Sequence, residues 1–173
     1  TMQWWSKEAT AGDDAGPPVR WSKQLGPDIV VSNNGLTVTR TQSRSYGNQI
    51  TNFLSGNRFV WVHIDSNDSN AFYAGVVSEQ YSQASNSGTR FSSMNSVYCM
   101  QADAYLYAGS NHTSNGCQIR SGMMLGFDIV PGSHVAVYNG AREVGRMTIP
   151  AGKYAVGLCF GGNTLPLLLS GLR

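Results

Sequence analysis

Apolar residues along this chain fall in short runs that alternate with polar or small ones, the period of strands with one face buried. The pattern is densest over residues 123–162, where Leu125, Phe127 and Ile129 alternate with Met124, Gly126 and Asp128. Pro131-Gly132 closes that strand, because proline presets a turn dihedral and glycine accepts positive φ. Residues 134–138 run back to Asn139-Gly140, the strongest short hairpin signal a sequence carries. A third strand over 143–149 and a fourth over 153–160 follow, separated by Pro150-Ala151-Gly152. The spacing predicts a four-stranded antiparallel meander. With one apolar face open such a meander requires a second layer to cover it.

The rest of the chain supplies that layer. Residues 1–19 read as an extension, with Trp4-Trp5 expected to dock back on the body or on a neighbouring domain, and a Gly/Asp/Pro linker after it. The body, 20–173, opens at Trp21. A strand over 28–31 turns at Asn33-Asn34-Gly35 into a return strand over 36–41, with Leu36, Val38 and Arg40 on one face. Residues 42–57 are polar and read as a long loop holding a short bridging strand. Residues 58–65 set Phe59 and Trp61 against Val60, Val62 and Ile64, so this strand is expected at the centre, covered on both faces. After a turn over 66–70, residues 71–78 are expected to pair back with it. A polar loop over 79–90, short strands over 96–101 and 104–107, a loop over 109–116 and a last strand over 164–169 complete the order. No segment keeps a helical period for three turns. Turns roughly every 8–12 residues argue an antiparallel sandwich.

Composition narrows the function. Charged residues are 13% of the 173, roughly half the usual share, and the formal net charge is +2. The basic residues are scattered, without the run that nucleic-acid binding needs, and no apolar run is long enough to span a membrane; 165–169 is far too short. Cys99, Cys117 and Cys159 are odd in number and show no pairing pattern, so reduced thiols in a cytosolic or nuclear compartment are expected. Asn67-Asp68-Ser69 and Asn111-His112-Thr113 match the glycosylation acceptor pattern, which arises readily by chance in so Ser/Asn-rich a chain.

Catalytic and metal chemistry find little support. The run from Gly157 to Gly161 spaces Cys159 like a nucleophile, but Gly162-Asn163-Thr164-Leu165-Pro166 cannot start the helix such an elbow requires. His63, His112 and His134 are isolated from one another and from cysteines at ligand spacing. The stretch from Asp65 to Asn70 lacks the central glycine and terminal glutamate of an EF-hand loop and reads as a polar turn. Three glutamates and seven aspartates make a paired-carboxylate site hard to assemble, and Asp128 is expected at the surface or on backbone groups. No cofactor is expected.

Taken in order, several runs together resemble the SPRY domain family over about 21–169. They are Trp21 with Asp28-Ile29-Val30-Val31, and then the run from Gly35 to Arg40. The run from Arg58 to Ile64 follows, and Phe72-Tyr73-Ala74-Gly75-Val76-Val77 after it. The last are Leu125-Gly126-Phe127-Asp128, the run from Val135 to Gly140, and Glu143-Val144-Gly145. Val62 stands where the family's "WEV" strand has its acidic residue, and the Ser/Asn-rich loops are long. The resemblance implies an all-β fold, a bent two-sheet antiparallel sandwich of concanavalin-like jelly-roll type. It also implies a non-catalytic module that binds a protein or peptide partner through edge loops. Such modules sit within larger proteins, ubiquitin ligases and signalling adaptors among them, and a cytoplasmic monomer is expected.

The polar loops carry large side chains among Ser, Gly and Asn, and Tyr and Arg concentrate binding energy at interfaces. The resemblance places three loops on one surface: 40–46, 79–81 and 160–162. The partner-binding residues expected from them are Arg44, Tyr46, Glu79, Tyr81, Phe160, Gly161 and Gly162. Arg44 would offer donors to a carboxylate or to peptide carbonyls. Tyr46 and Tyr81 would wall a pocket, and Gly161-Gly162 would admit a partner backbone. The alternative of another class is a lectin-like sandwich, whose aromatic platforms beside Asp and Asn would hold carbohydrate.

Overall fold

The computed structural model describes residues 18–22, 29–41, 46–64, 72–81, 88–109, 111–161 and 168–170. The strands are β1 (Ile29–Ser32), β2 (Thr37–Arg40), β3 (Gly47–Ile50), β4 (Arg58–Ile64), β5 (Phe72–Ser78), β6 (Val97–Gln101) and β7 (Leu106–Ala108). They continue with β8 (Asn111–Thr113), β9 (Met124–Val130), β10 (His134–Asn139), β11 (Arg142–Thr148), β12 (Tyr154–Phe160) and β13 (Leu168–Ser170). One turn of 3₁₀ helix, Phe91–Ser93, precedes β6. The two sheets are antiparallel: β1-β2-β13-β4-β9-β10-β11 and β3-β12-β5-β6-β7-β8. No helix among the described residues is long and apolar enough to cross a membrane. This is the all-β, two-sheet sandwich that the alternation predicts.

Local chemistry sets the turns. Asn33, Asn34 and Gly35 all have positive φ, which Asn and Gly accept most readily, and they join β1 to β2. Gly140 at φ +60° closes the β10–β11 hairpin, with Asn139 opposite Arg142. Between the sheets lies one apolar core. β4 contributes Val60, Val62 and Ile64, β9 contributes Leu125, Phe127 and Ile129, and β12 contributes Tyr154, Val156, Leu158 and Phe160. β4 sits inside its sheet between β13 and β9, as its two apolar faces require.

Three expectations are corrected by the pairing. The predicted meander holds for β9, β10 and β11, but β12 leaves it and pairs with β3 and β5 in the other sheet. The physical reason is burial: all seven residues of β12 are buried, whereas β11 exposes Arg142, Glu143, Arg146 and Thr148 as a sheet edge does. Residues 71–78 likewise do not pair back with β4. β5 lies between β12 and β6, because Phe72 to Val77 are apolar on both faces and buried throughout. The loop expected over 109–116 contains β8, an edge strand on β7. Trp61 is only 2% exposed, yet it points away from the inter-sheet core. It lies with Phe59 across Gly126 on the outer face, where a Cβ on Gly126 would stand 2.7 Å from both rings. The bridging strand foreseen in 42–57 is β3. Calls on 1–17, on the turn from Asp65 to Asn70 and on most of the last strand lie outside the described residues.

Arg40, 2% exposed, ties the layers together. It leaves β2 and donates from Nη1 to the Phe160 carbonyl of β12 at 2.9 Å, with its guanidinium carbon 6.0 Å from the Phe160 ring. A buried arginine in such a place keeps its charge by hydrogen bonding to carbonyls and stacking on rings.

Trp61→Ala should lower stability by about 3–5 kcal/mol, as for other buried aromatic truncations, read from urea midpoints. An unchanged midpoint would return Trp61 to the list of surface residues.

Candidate binding surface

The outer face of the six-stranded sheet is apolar enough to need its own cover. Cys99, Gly75, Gly157 and Ile50 stand side by side on β6, β5, β12 and β3. The two central glycines leave a dent in the row. Phe91, fully buried, fills it: a Cβ on Gly157 would sit 3.0 Å from the Phe91 ring, and one on Gly75 would collide with the backbone of Tyr98 and Cys99. Around Phe91 gather Tyr73, Val77, Tyr81, Met94, Val97, Ala155 and Cys159, a second core under residues 79–81 and 88–96. Asn48 on β3 holds that segment down, donating to the Thr89 carbonyl at 2.7 Å.

Beside this cover runs a strip of aromatic rings that is only partly covered. Arg90 stacks over Tyr46, its guanidinium carbon 5.9 Å from the ring centre. The ring centre of Tyr46 lies 6.5 Å from that of Tyr73, which lies 6.1 Å from Tyr107. Tyr107 in turn meets His112 at 5.3 Å and Tyr105 at 6.4 Å, and Tyr105 and His112 are 5.4 Å apart. Tyr73 is the buried floor; Tyr46 and Tyr107 are half-buried; Arg90, Tyr105 and His112 are exposed. Register explains the grouping. Tyr105 and Tyr107 flank Leu106, which points into the main core, and His112 is the cross-strand partner of Tyr107. The geometry is that of an interface: rigid rings with wet hydroxyls and one stacked cation.

Burial sets the protonation states. It pushes Tyr81 up to about 12, against the pull of the neighbouring Asn48 amide, and Tyr154 to about 12 as well. It raises Tyr73 further still, against a hydrogen bond with Ser92. Burial also pushes the Cys159 thiol up to about 12, although the Phe91 backbone and the Arg40 and Arg90 charges pull the other way. Cys99 is raised by burial too. Both thiols are therefore protonated. Cys159 is a strand residue closed in the second core, as the sequence suggested, and is no nucleophile.

The residues expected to bind a partner are only partly brought together. Two of the three loops meet: Gly47, next to Tyr46, pairs with Phe160, and Gly161 follows it. The third does not. Glu79 exchanges backbone contact with Lys153 at 3.0 Å, and its carboxylate accepts the Lys153 N–H at 2.7 Å. That is the start of β12, whereas Phe160 is its end, roughly 20 Å away at the strand rise per residue. β5 and β12 are antiparallel neighbours, so their trailing loops leave at opposite ends. Burial corrects three further positions. Tyr81 is 5% exposed and packs edge-on to Phe91 at 6.3 Å; Phe160 faces the main core; Gly161 is buried and so does not stand open to a partner backbone. Tyr46 and Glu79 remain accessible, and Arg44 and Gly162 lie outside the described residues. Sequence reasoning missed Arg90, Tyr105, Tyr107 and His112. The Tyr105-Leu106-Tyr107 alternation was the available signal for two of them.

A bent antiparallel sandwich of this strand order defines a known class. The chain has the SPRY fold. It superposes on a human SPRY domain with a TM-score of 0.69 at 18% identity, covering 85% of this chain and 95% of that one. The SPRY domain of human HERC1 gives 0.66 at 12%, covering 83% and 91%. The Drosophila melanogaster neuralized NHR1 domain gives 0.57 at 14%, covering 91% and 99%. No family model matches the chain, and no curated protein does either.

Tyr81→Ala should cost about 3 kcal/mol of stability, the loss of a buried ring, measured by urea unfolding. A cost near zero would put Tyr81 back at the surface. Alkali gives a second check. The folded state holds protons that the unfolded state releases at ordinary values, 9.0 for Cys159 and 10.0 for Tyr81 and Tyr154. Their contribution is whole below the lower value and is lost as pH rises towards about 12. The urea midpoint should fall across that window, with native tyrosinate absorbance lagging behind that of the unfolded chain. A flat midpoint would contradict the burial.

Proposed function

We propose that the chain is a non-catalytic interaction module that holds a short segment of a partner protein on the outer face of its six-stranded sheet. The single observation carrying this reading is the strip from Arg90 and Tyr46 to Tyr107, Tyr105 and His112. Such residues dominate interface energy, and here Tyr107 and His112 sit on strands while Tyr46 and Tyr105 directly precede β3 and β7, so little ordering entropy opposes binding. Glu79 stays available at the far end for a second contact. The three free cysteines, two of them buried, suit a reducing cytoplasmic setting. The fold suits a monomeric module within a larger protein, such as a ubiquitin ligase or adaptor. Among the described residues no group of His, Cys, Asp or Glu could hold a metal ion.

The test is selection of random short peptides on the immobilised chain, followed by titration of the recovered sequences. Arg90→Ala and Tyr107→Ala should each weaken binding about tenfold or more while leaving the melting temperature near that of the parent. Peptides indifferent to both substitutions would refute the strip. Retention of glycans with no peptide would assign the rings to carbohydrate.

A further inference from the structure

The six-stranded sheet ends in β8, whose three residues, Asn111, His112 and Thr113, are all exposed. Ala108 and Asn111 are the last pair before a two-residue connection, so they form the hydrogen-bonded pair of a tight hairpin. By the alternation of antiparallel ladders, Tyr107 and His112 are then a non-bonded pair. The N–H and C=O of His112 therefore point away from the sheet, towards the open edge. Nothing on β8 defends that edge: it carries no charged residue and no proline. The facing edge of the other sheet, β11, is defended. It exposes Arg142, Glu143 and Arg146, with Arg146 donating to Glu143 at 2.7 and 3.2 Å.

Between the two edges lies a groove of about 210 Å³ lined by Leu106, Ala108, Asn111, His112, Thr113, Arg146 and Met147. On the opposite side of β8 stand the rings of His112, Tyr105 and Tyr107. A strand added beside β8 would send alternate side chains to these two places, one set into the groove and the other onto the rings.

We propose that β8 is an acceptor edge for an extended segment of a partner protein, which adds as a further antiparallel or parallel strand through the backbone of His112. The groove fixes the occupant's chemistry. Leu106, Ala108 and Met147 call for an apolar side chain. The one arginine lining the groove, Arg146, is already paired with Glu143, which leaves that apolar side chain to be flanked by neutral residues on the same side of the segment. A second copy of this chain is the poorer occupant, because three edge residues cannot approach the roughly 1,000 Å² a stable protein interface needs. The proposal rests on the reading that the chain holds protein segments, but it concerns a backbone edge at the end of the ring strip away from Arg90.

The probes are peptides recovered from a displayed random library on the full chain. Edge binders should carry apolar residues at alternate positions. N-methylation of alternate amides in such a peptide should weaken it about tenfold or more, a loss that owes nothing to the protein's folding. His112→Pro should do the same at unchanged melting temperature, since an outward N–H is not used in the sheet. The His112 amide should exchange more slowly in the complex, and Arg90→Ala should leave this binding intact. Peptides that tolerate both N-methylation and His112→Pro overturn the proposal. If those same peptides lose affinity with Arg90→Ala, the strip stands and the edge alone is refuted; if no peptide is recovered, both fall.

Discussion

Two glycines in the middle of a sheet decide how this molecule is covered. Gly75 and Gly157 are neighbours across β5 and β12, and neither has room for a side chain. Phe91 seats against Gly157, and Tyr81, Met94 and Val97 pack with it over that face. Without that ring the outer face would present Cys99, Cys159, Tyr73 and Ala155 to water. Arg90 precedes the plug and reaches Tyr46 only because Phe91 is seated. Packing and recognition are thus coupled through one contact: the same segment that seals the second core also sets one end of the ring strip.

Much of the fold was legible because alternation reports burial directly. The hairpin at Asn139-Gly140, the double-sided burial of β4 and the all-β class all follow from short-range chemistry. Partnership was not legible, since a strand's period says which faces are buried but not against what. β5 and β12 show the limit. Their apolar runs marked them as strands, read as the partner of β4 and the end of the meander, yet the three-dimensional pairing puts both in the middle of the second sheet. The site was read less well for a related reason. A tyrosine in a polar loop, such as Tyr81, looks accessible when its burial comes from residues far along the chain, here Phe91 folded over a glycine of β12. Conversely, Tyr107 and His112 looked unremarkable until β8 placed them side by side.

Low charge also shapes what the surface can do. With so few ions to spend, the structure assigns them sparingly. Arg40 is buried on a carbonyl, Glu79 secures a turn, Arg146 and Glu143 pair on an edge, and Arg90 alone is stacked on the ring strip. Recognition then falls to rings and backbone, which discriminate by shape and register and not by long-range attraction. Association with a partner should accordingly depend little on ionic strength.

The position of β13 carries a consequence for how the chain is made. Leu168 and Leu169 pair with β2, while Leu169 and Ser170 pair with β4, so the last strand is wedged inside the seven-stranded sheet. During synthesis β1 and β2 cannot join β4 until β13 has been made. β3 waits as well, since its partner β12 is also late. Closing both sheets therefore depends on pairings between residues more than a hundred positions apart, a topology that folds slowly and leaves edges open while it waits.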